Sequence, residues 1–93
     1  MMAAIAAAGA KAGVILLEKN ARPGTKLLLS GKGRCNLTNA CDREMFLERF
    51  YGNGQFLRDA FKVFFYPELR HFFESRGLKL KVERQQRVFP VSD

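Results

Sequence analysis

Residues 30–39, Ser30-Gly31-Lys32-Gly33-Arg34-Cys35-Asn36-Leu37-Thr38-Asn39, gather glycines, cations, a thiol and amides into one short stretch. Glycines let backbone N–H groups approach a phosphate or a planar ring without side-chain obstruction. The guanidinium of Arg34 offers fork-shaped, charge-assisted hydrogen bonding to phosphate. Asn36 and Asn39 both donate and accept, and both suit tight turns. The alternative reading is a basic Gly/Asn surface loop. Cys35 could be a redox thiol, since Lys32 and Arg34 favour thiolate; with no CxxC partner, the plainer expectation is a small residue packed under the loop. Upstream, Glu18 closes the apolar run Val14-Ile15-Leu16-Leu17. A carboxylate at a strand end can accept hydrogen bonds from two adjacent ribose hydroxyls. It could equally be a surface acid paired with Lys19 or Arg22. Strand, acid and Gly-rich loop in that order suggest a nucleotide cofactor site.

The elements that must hold these residues are legible in the spacing. Residues 1–11 are Ala-rich and predict a helix, with Gly13 as its stop. The unbroken apolar run at 14–17 fits a strand covered on both faces, as in a parallel sheet. Helix, glycine, buried strand and acid make the second half of a βαβ unit. Arg22-Pro23-Gly24 marks a turn, and residues 26–29 are short and apolar. Residues 30–41 carry too much Gly, Asn and Thr for a regular element. Asp42 reads as an N-cap for a helix bearing Met45, Phe46, Arg49 and Phe50, which Tyr51-Gly52-Asn53-Gly54 breaks. Residues 55–66 present Phe56, Leu57, Ala60, Phe61, Phe64 and Phe65 at helical spacing. Pro67 opens a further helix that buries Leu69, Phe72 and Phe73 and ends at Gly77. The Phe-rich stretch could stack nucleobases, but its period makes it core. Leu78, Leu80 and Val82 alternate with charged residues as a half-exposed strand does. Gln85-Gln86 predicts a turn, and residues 87–91 a second strand with Pro90 at an edge or an end.

Composition narrows the classes. The chain has 93 residues, enough for one small domain or a piece of a larger one. Its 47% hydrophobic content and nine Phe argue against disorder. No apolar run approaches the ~20 residues of a membrane span, so no membrane partner is expected. The first cation, Lys11, follows the apolar N-terminus, the wrong order for a secretory signal. Cys35 and Cys41 make no disulfide framework, His71 stands alone and reads as structural, and no metal site is expected. A cytoplasmic setting is the default. The net charge of +7 admits nucleic acid or an acidic cofactor, but the cations are scattered among apolar residues as on a solvated face.

Five blocks occur in an order that resembles a known family: Ala3-Ala4-Ile5-Ala6-Ala7-Ala8, Val14-Ile15-Leu16-Leu17-Glu18-Lys19-Asn20, Pro23-Gly24-Thr25-Lys26-Leu27-Leu28, residues 30–39, and Arg87-Val88-Phe89-Pro90-Val91-Ser92. Together they resemble the N-terminal part of the HI0933-like (BaiN/YhiN-like, aminoacetone oxidase-like) bacterial FAD-dependent flavoproteins. The Gly-Arg-Cys-Asn-Leu-Thr-Asn block is specific; Leu-Leu-Glu-Lys-Asn is shared by many FAD proteins. The resemblance implies an α/β fold, a partial Rossmann-type FAD-binding domain. It implies that Glu18 binds the adenosine ribose with Lys19 near the adenine end. Gly33, Arg34, Cys35 and Asn36 would run along the flavin and its pyrophosphate, supported by Ser30, Gly31 and Lys32. No catalytic residue is assigned.

Residues 1–20 would be the βαβ remnant, 21–41 the flavin-contacting loop, 42–77 a helical segment and 78–93 a β-hairpin leading onward. Family members are several times longer and begin with a strand and the Gly-rich fingerprint that receives the pyrophosphate at a helix N-terminus. Here Met1-Met2-Ala3-Ala4-Ile5 matches the helix just after that fingerprint. The expectation is therefore an N-terminal fragment lacking the first strand. It would be inactive and unable to hold FAD alone, prone to self-association, and part of an oxidoreductase acting on a small molecule, with NAD(P)H a candidate electron donor. The other expectations are a small basic nucleic-acid-binding module and a non-functional truncated product.

Overall fold

The structure, a computed structural model, describes residues 1–29 and 33–92. Ser30, Gly31, Lys32 and Asp93 lie outside the described residues. The helices are α1 (Met2–Gly9), α2 (Thr25–Leu29), α3 (Arg43–Glu48), α4 (Arg58–Val63) and α5 (Tyr66–Glu74). The strands are β1 (Thr38–Asn39), β2 (Leu80–Val82) and β3 (Arg87–Pro90). The three strands form one antiparallel sheet in the order β1-β3-β2.

The C-terminal two-thirds follows from local signals. The Asp42 carboxylate accepts from the Met45 amide at 2.9 Å, satisfying one of the donors that a helix start leaves open. Gly54 follows the turn after α3 because only hydrogen fits there: an added Cβ would meet the Leu47 carbonyl and lie 3.2 Å from Phe50 Cβ. A 3-10 turn (Gly54–Leu57) leads into α4, and the chain leaves helix at Phe64 and Phe65 before restarting as α5. The helix expected over residues 55–66 thus begins as a 3-10 turn and ends early at Val63, and the further helix expected to open at Pro67 starts at Tyr66. Pro67 explains the break, since it has no N–H and fits only the first turn of a new helix. Glu68 reaches back and accepts from the Phe65 amide at 2.9 Å. The phenylalanines meet largely edge-on: Phe46 lies 5.5 Å from Phe61 and 5.3 Å from Phe65, centroid to centroid. That is the favoured geometry for their quadrupoles, but the stretch is not the buried core expected: Phe61, Phe65, Leu69, Phe72 and Phe73 are half-buried and Phe56 and Phe64 are exposed, because no further described layer covers α4 and α5.

The hairpin forms, but the alternation holds only in part: Val82 is 48% exposed, while Lys81 and Glu83 are half-buried. Leu80 is buried on β2, and Val82 pairs with Val88 on β3. Gln85 and Gln86 both adopt positive φ, 60° and 58°, a conformation costing non-glycine residues about 1–2 kcal/mol each. β3 is the middle strand, not an edge; Pro90 is tolerated because it ends the strand, beyond the β1 pairings at Val88 and Arg87. Residues 30–41 were expected to hold no regular element, yet Thr38–Asn39 forms β1 against β3. Consecutive Val88 and Phe89 are both buried, so both faces of the sheet are covered at β3.

The N-terminal third differs most from expectation. α1 is present, but it ends at Ala10 and Lys11, where Lys11 rather than Gly13 takes the positive φ of 61°. Residues 14–17 form no strand, and Ile15 and Leu17 are 87% and 89% exposed. The reason is partnership: a parallel strand exists only when neighbours take up its N–H and C=O groups, and no described residue does so. The Cα radius of gyration is 15.0 Å, against about 12 Å for a compact chain of this length.

Candidate functional site

Gly33 opens the described part of the loop at φ +87°, and an added Cβ would meet nothing within 4 Å. The position needs glycine for its backbone conformation and faces open space. Arg34 turns back onto the hairpin. Its Nη1 and Nη2 donate to Glu83 Oε2 and Oε1 at 3.0 and 2.8 Å, a bidentate pair spanning 49 positions. The same guanidinium lies 4.0 Å above the centroid of the buried Phe89 ring. Lys81 adds a second cation 3.5 Å from Glu83. The Arg34 hydrogen bonds, chiefly, hold the Glu83 carboxyl below its ordinary range.

The amides of the loop are used in the same way. The Asn36 amide, oriented by its hydrogen-bonding surroundings, donates to the Thr38 and Val88 carbonyls at 3.0 and 3.2 Å. Asn39 Nδ2 donates to the Gln85 carbonyl at 2.7 Å, and Asn39 Oδ1 accepts from the Cys41 amide at 2.9 Å. The backbone adds Leu37 N to Val88 O at 2.9 Å and Ala40 N to Gln86 O at 2.8 Å. Arg34, Asn36 and Asn39 are therefore brought together on the β2–β3 hairpin. Cys35 does not pack under the loop as expected: it is exposed, and Cys41 is the buried thiol at 3%. The loop crosses the sheet edge through β1, which turns Cys35 outward and leaves Cys41 to enter the core ahead of α3.

Glu18 stands in a different place. It lines a hollow with Met1, Asn20, Gly24 and Thr25, between the start of α1 and the start of α2. Its Oε1 accepts from the Asn20 amide and from Asn20 Nδ2, both at 2.8 Å. These two bonds, the backbone one first, hold the Glu18 carboxyl below its ordinary range. It is paired with neither Lys19 nor Arg22 but oriented by its own turn. Lys19 is exposed beside it. Ser30, Gly31 and Lys32, named as supports of the loop, lie outside the described residues.

Glu83, Phe89 and the Gln85 carbonyl escaped the sequence reading. Glu83 is one of nine acids, and the alternation of β2 marks it only as solvent-facing. Nothing local ties it to Arg34. Phe89 was visible as an apolar strand residue, and its role beneath a cation needed the fold.

Among the described residues no three His, Cys, Asp or Glu side chains are grouped to hold a metal ion. No helix of the described residues is long and apolar enough to cross a membrane.

Comparison with known proteins agrees with this architecture. The family model described as the HI0933-like protein Rossmann domain matches residues 1–93. The chain is 41% identical over 96 aligned positions to the 3-dehydro-bile acid delta(4,6)-reductase of Clostridium scindens. That alignment covers all of this chain and 22% of the relative, so the chain spans under a quarter of that protein's length. With the family model matched from end to end and the Glu18 and Arg34 blocks both inside it, the chain belongs to the HI0933-like family of Rossmann-domain proteins.

Proposed function

We propose that residues 1–93 form part of the FAD site of a flavin-dependent oxidoreductase whose activity resides in a polypeptide of family length. The carrying observation is Glu18: an ionised carboxylate, oriented by Asn20, in a hollow beside the start of α1. That acceptor fits FAD, because a ribose diol donates two hydrogen bonds and a fixed carboxylate accepts them. Glu18 would take the ribose, with Lys19 near the adenine. The backbone around Gly33 and Asn36, together with Cys35, would run along the flavin. When bound, FAD supplies hydride or electron transfer, and the protein orients it.

The relative's name, that of a reductase of a 3-dehydro compound with ring double bonds, supports an unsaturated carbonyl compound as the substrate class. The exposed run at 14–17 supports the companion proposal that residues 1–93 alone are inactive and hold no flavin. Ile15 and Leu17 are almost fully exposed, Val14 and Leu16 only about half covered, and Glu18 follows directly on that run. A nucleic-acid role has less support, since Arg34, Arg58, Lys62, Arg70 and Lys81 are all engaged with carboxylates.

The test is purification of the product of the complete reading frame that encodes these residues. The expected result is a yellow protein whose released cofactor is FAD, with affinity reduced by about tenfold or more in Glu18→Ala. A folded, colourless protein that takes up no added FAD would refute the proposal.

A further inference from the structure

The loop that carries Arg34 presents residue types that bind phosphate, yet among its described residues the structure shows Arg34, Asn36 and Asn39 engaged elsewhere. Both terminal nitrogens of Arg34 are bonded to Glu83, and the flat face of the guanidinium rests on Phe89. Asn36 is bonded to two backbone carbonyls and Asn39 to a third. Each of these bonds ends on β1, on the hairpin or on its turn. The turn holds two glutamines at positive φ, and their carbonyls accept from Asn39 Nδ2 and the Ala40 amide. Among the described residues of the loop, Gly33 has open space where a side chain would stand, and the Cys35 side chain is exposed.

We propose that Glu83 is a positioning residue which, acting through Arg34, fixes residues 33–36, and that this loop meets its ligand with backbone and Cys35 rather than with the guanidinium. The ligand's identity as FAD rests on the function proposed above. A guanidinium acting as a phosphate ligand needs its fork turned toward the anion. Here the fork is turned toward a carboxylate on the same chain, and the Phe89 ring fixes the plane in which it lies. Removing the Glu83 charge frees the fork and with it the register of the loop. A direct phosphate role for Arg34 predicts the opposite: loss of Glu83 would release the cation toward the anion and strengthen binding.

The experiment is a charge exchange in the product of the complete reading frame, with Arg34→Glu, Glu83→Arg and the double variant compared. Two quantities are read: FAD affinity, from quenching of flavin fluorescence, and hydrogen exchange at the Leu37 and Ala40 amides, which are bonded to the hairpin. Each single variant is expected to weaken FAD by about tenfold and to unprotect both amides. The double variant recovers most of both losses. If amide protection returns in the double variant and FAD affinity does not, Arg34 touches the cofactor directly and the proposal is overturned. It is overturned equally if Glu83→Arg leaves both quantities unchanged or tightens FAD.

Should a reversal prevent folding, Glu83→Gln keeps the side-chain shape and is expected to weaken FAD and amide protection together. An unchanged FAD affinity in Glu83→Gln again overturns the proposal. If the wild-type protein takes up no FAD, the flavin reading fails on its own. The amide exchange of the same variants then still decides whether Glu83 holds the loop.

Discussion

Replacing Phe89 by Ala tests whether one ring carries both the core and the loop. Phe89 is 3% exposed, lies on the middle strand and has Arg34 4.0 Å above its centroid. Truncating a buried Phe costs about 3–5 kcal/mol through lost burial and the cavity left behind. The ring–guanidinium contact adds about 0.5–1 kcal/mol, the range for an exposed cation. A chain of 93 residues has a total stability of roughly 5–14 kcal/mol. The buried apolar side chains described here are few, Cys41, Leu47, Leu80, Val88 and Phe89, which places this chain at the low end of that range. Phe89→Ala therefore removes more than half of the stability.

The assay is urea denaturation followed by circular dichroism, with Phe89→Leu as the companion. Leu keeps most of the burial and costs about 1–2 kcal/mol, made up of imperfect packing and the lost ring contact. Phe89→Ala is expected to be largely unfolded near 37 °C, with a melting temperature lower by about 12–40 °C. Phe89→Leu is expected to stay folded while its Leu37 amide loses protection, since Arg34 has lost its platform. A loss below about 1 kcal/mol in Phe89→Ala would refute the reasoning, because no collapse of the sheet could hide so large a cavity.

Gly54→Ala is expected to cost about 3 kcal/mol, the upper end for overpacking, because the obstacle is the fixed backbone of Leu47. Gly52→Ala, at φ +96° in open space, costs about 1–2 kcal/mol from conformation alone; equal losses in thermal melts would contradict this. Acid is expected to destabilise the chain: Glu18, Glu44, Asp59, Glu68 and Glu83 all titrate below their ordinary values. Each such group stabilises the fold above its unfolded pKa, and that contribution is lost as pH falls through its folded value. The melting temperature should hold from neutrality to about pH 5 and then fall, and Glu83→Gln should flatten part of the fall. Ile15→Lys with Leu17→Lys should abolish concentration-dependent self-association of residues 1–93 on a sizing column. Their unfolding free energy should change by less than about 0.5 kcal/mol, because both side chains are exposed; persistent association would place the sticky surface elsewhere.

The parts of the fold legible in the sequence are those whose causes are local. Asp42 caps α3, Pro67 forces a helix start, and the Leu78-Leu80-Val82 alternation announces β2, each through neighbours within a few positions. Residues 14–17 show where local reasoning ends. Their pattern is that of a buried strand, but burial and pairing depend on other strands, and here the same residues stand exposed. β1 was hidden for the converse reason: Thr38 and Asn39 are too short a run to show a strand period, and their pairing is imposed by β3 and by the bonds of Leu37 and Ala40 to the hairpin.

The candidate site divides along the same line. Glu18 was legible as an acid at the end of an apolar run, and its orientation by Asn20 is a local fact two positions away. Arg34 was legible as a cation in a Gly-rich loop, but its partner lies 49 positions downstream. Residue type alone leaves two functions open for such a loop, since the groups that recognise a phosphate are also those that recognise a carboxylate or a carbonyl. The choice is made by what the fold places within about 3 Å. In this chain the fold supplies Glu83, Val88 and Gln85, so the polar side chains fasten the loop. Among the described residues of the loop, Gly33 and the Cys35 thiol are left facing outward. Fastening of this kind makes a ligand-facing backbone precise, because a loop held through Arg34, Asn36, Leu37, Asn39 and Ala40 has little freedom to lose on binding.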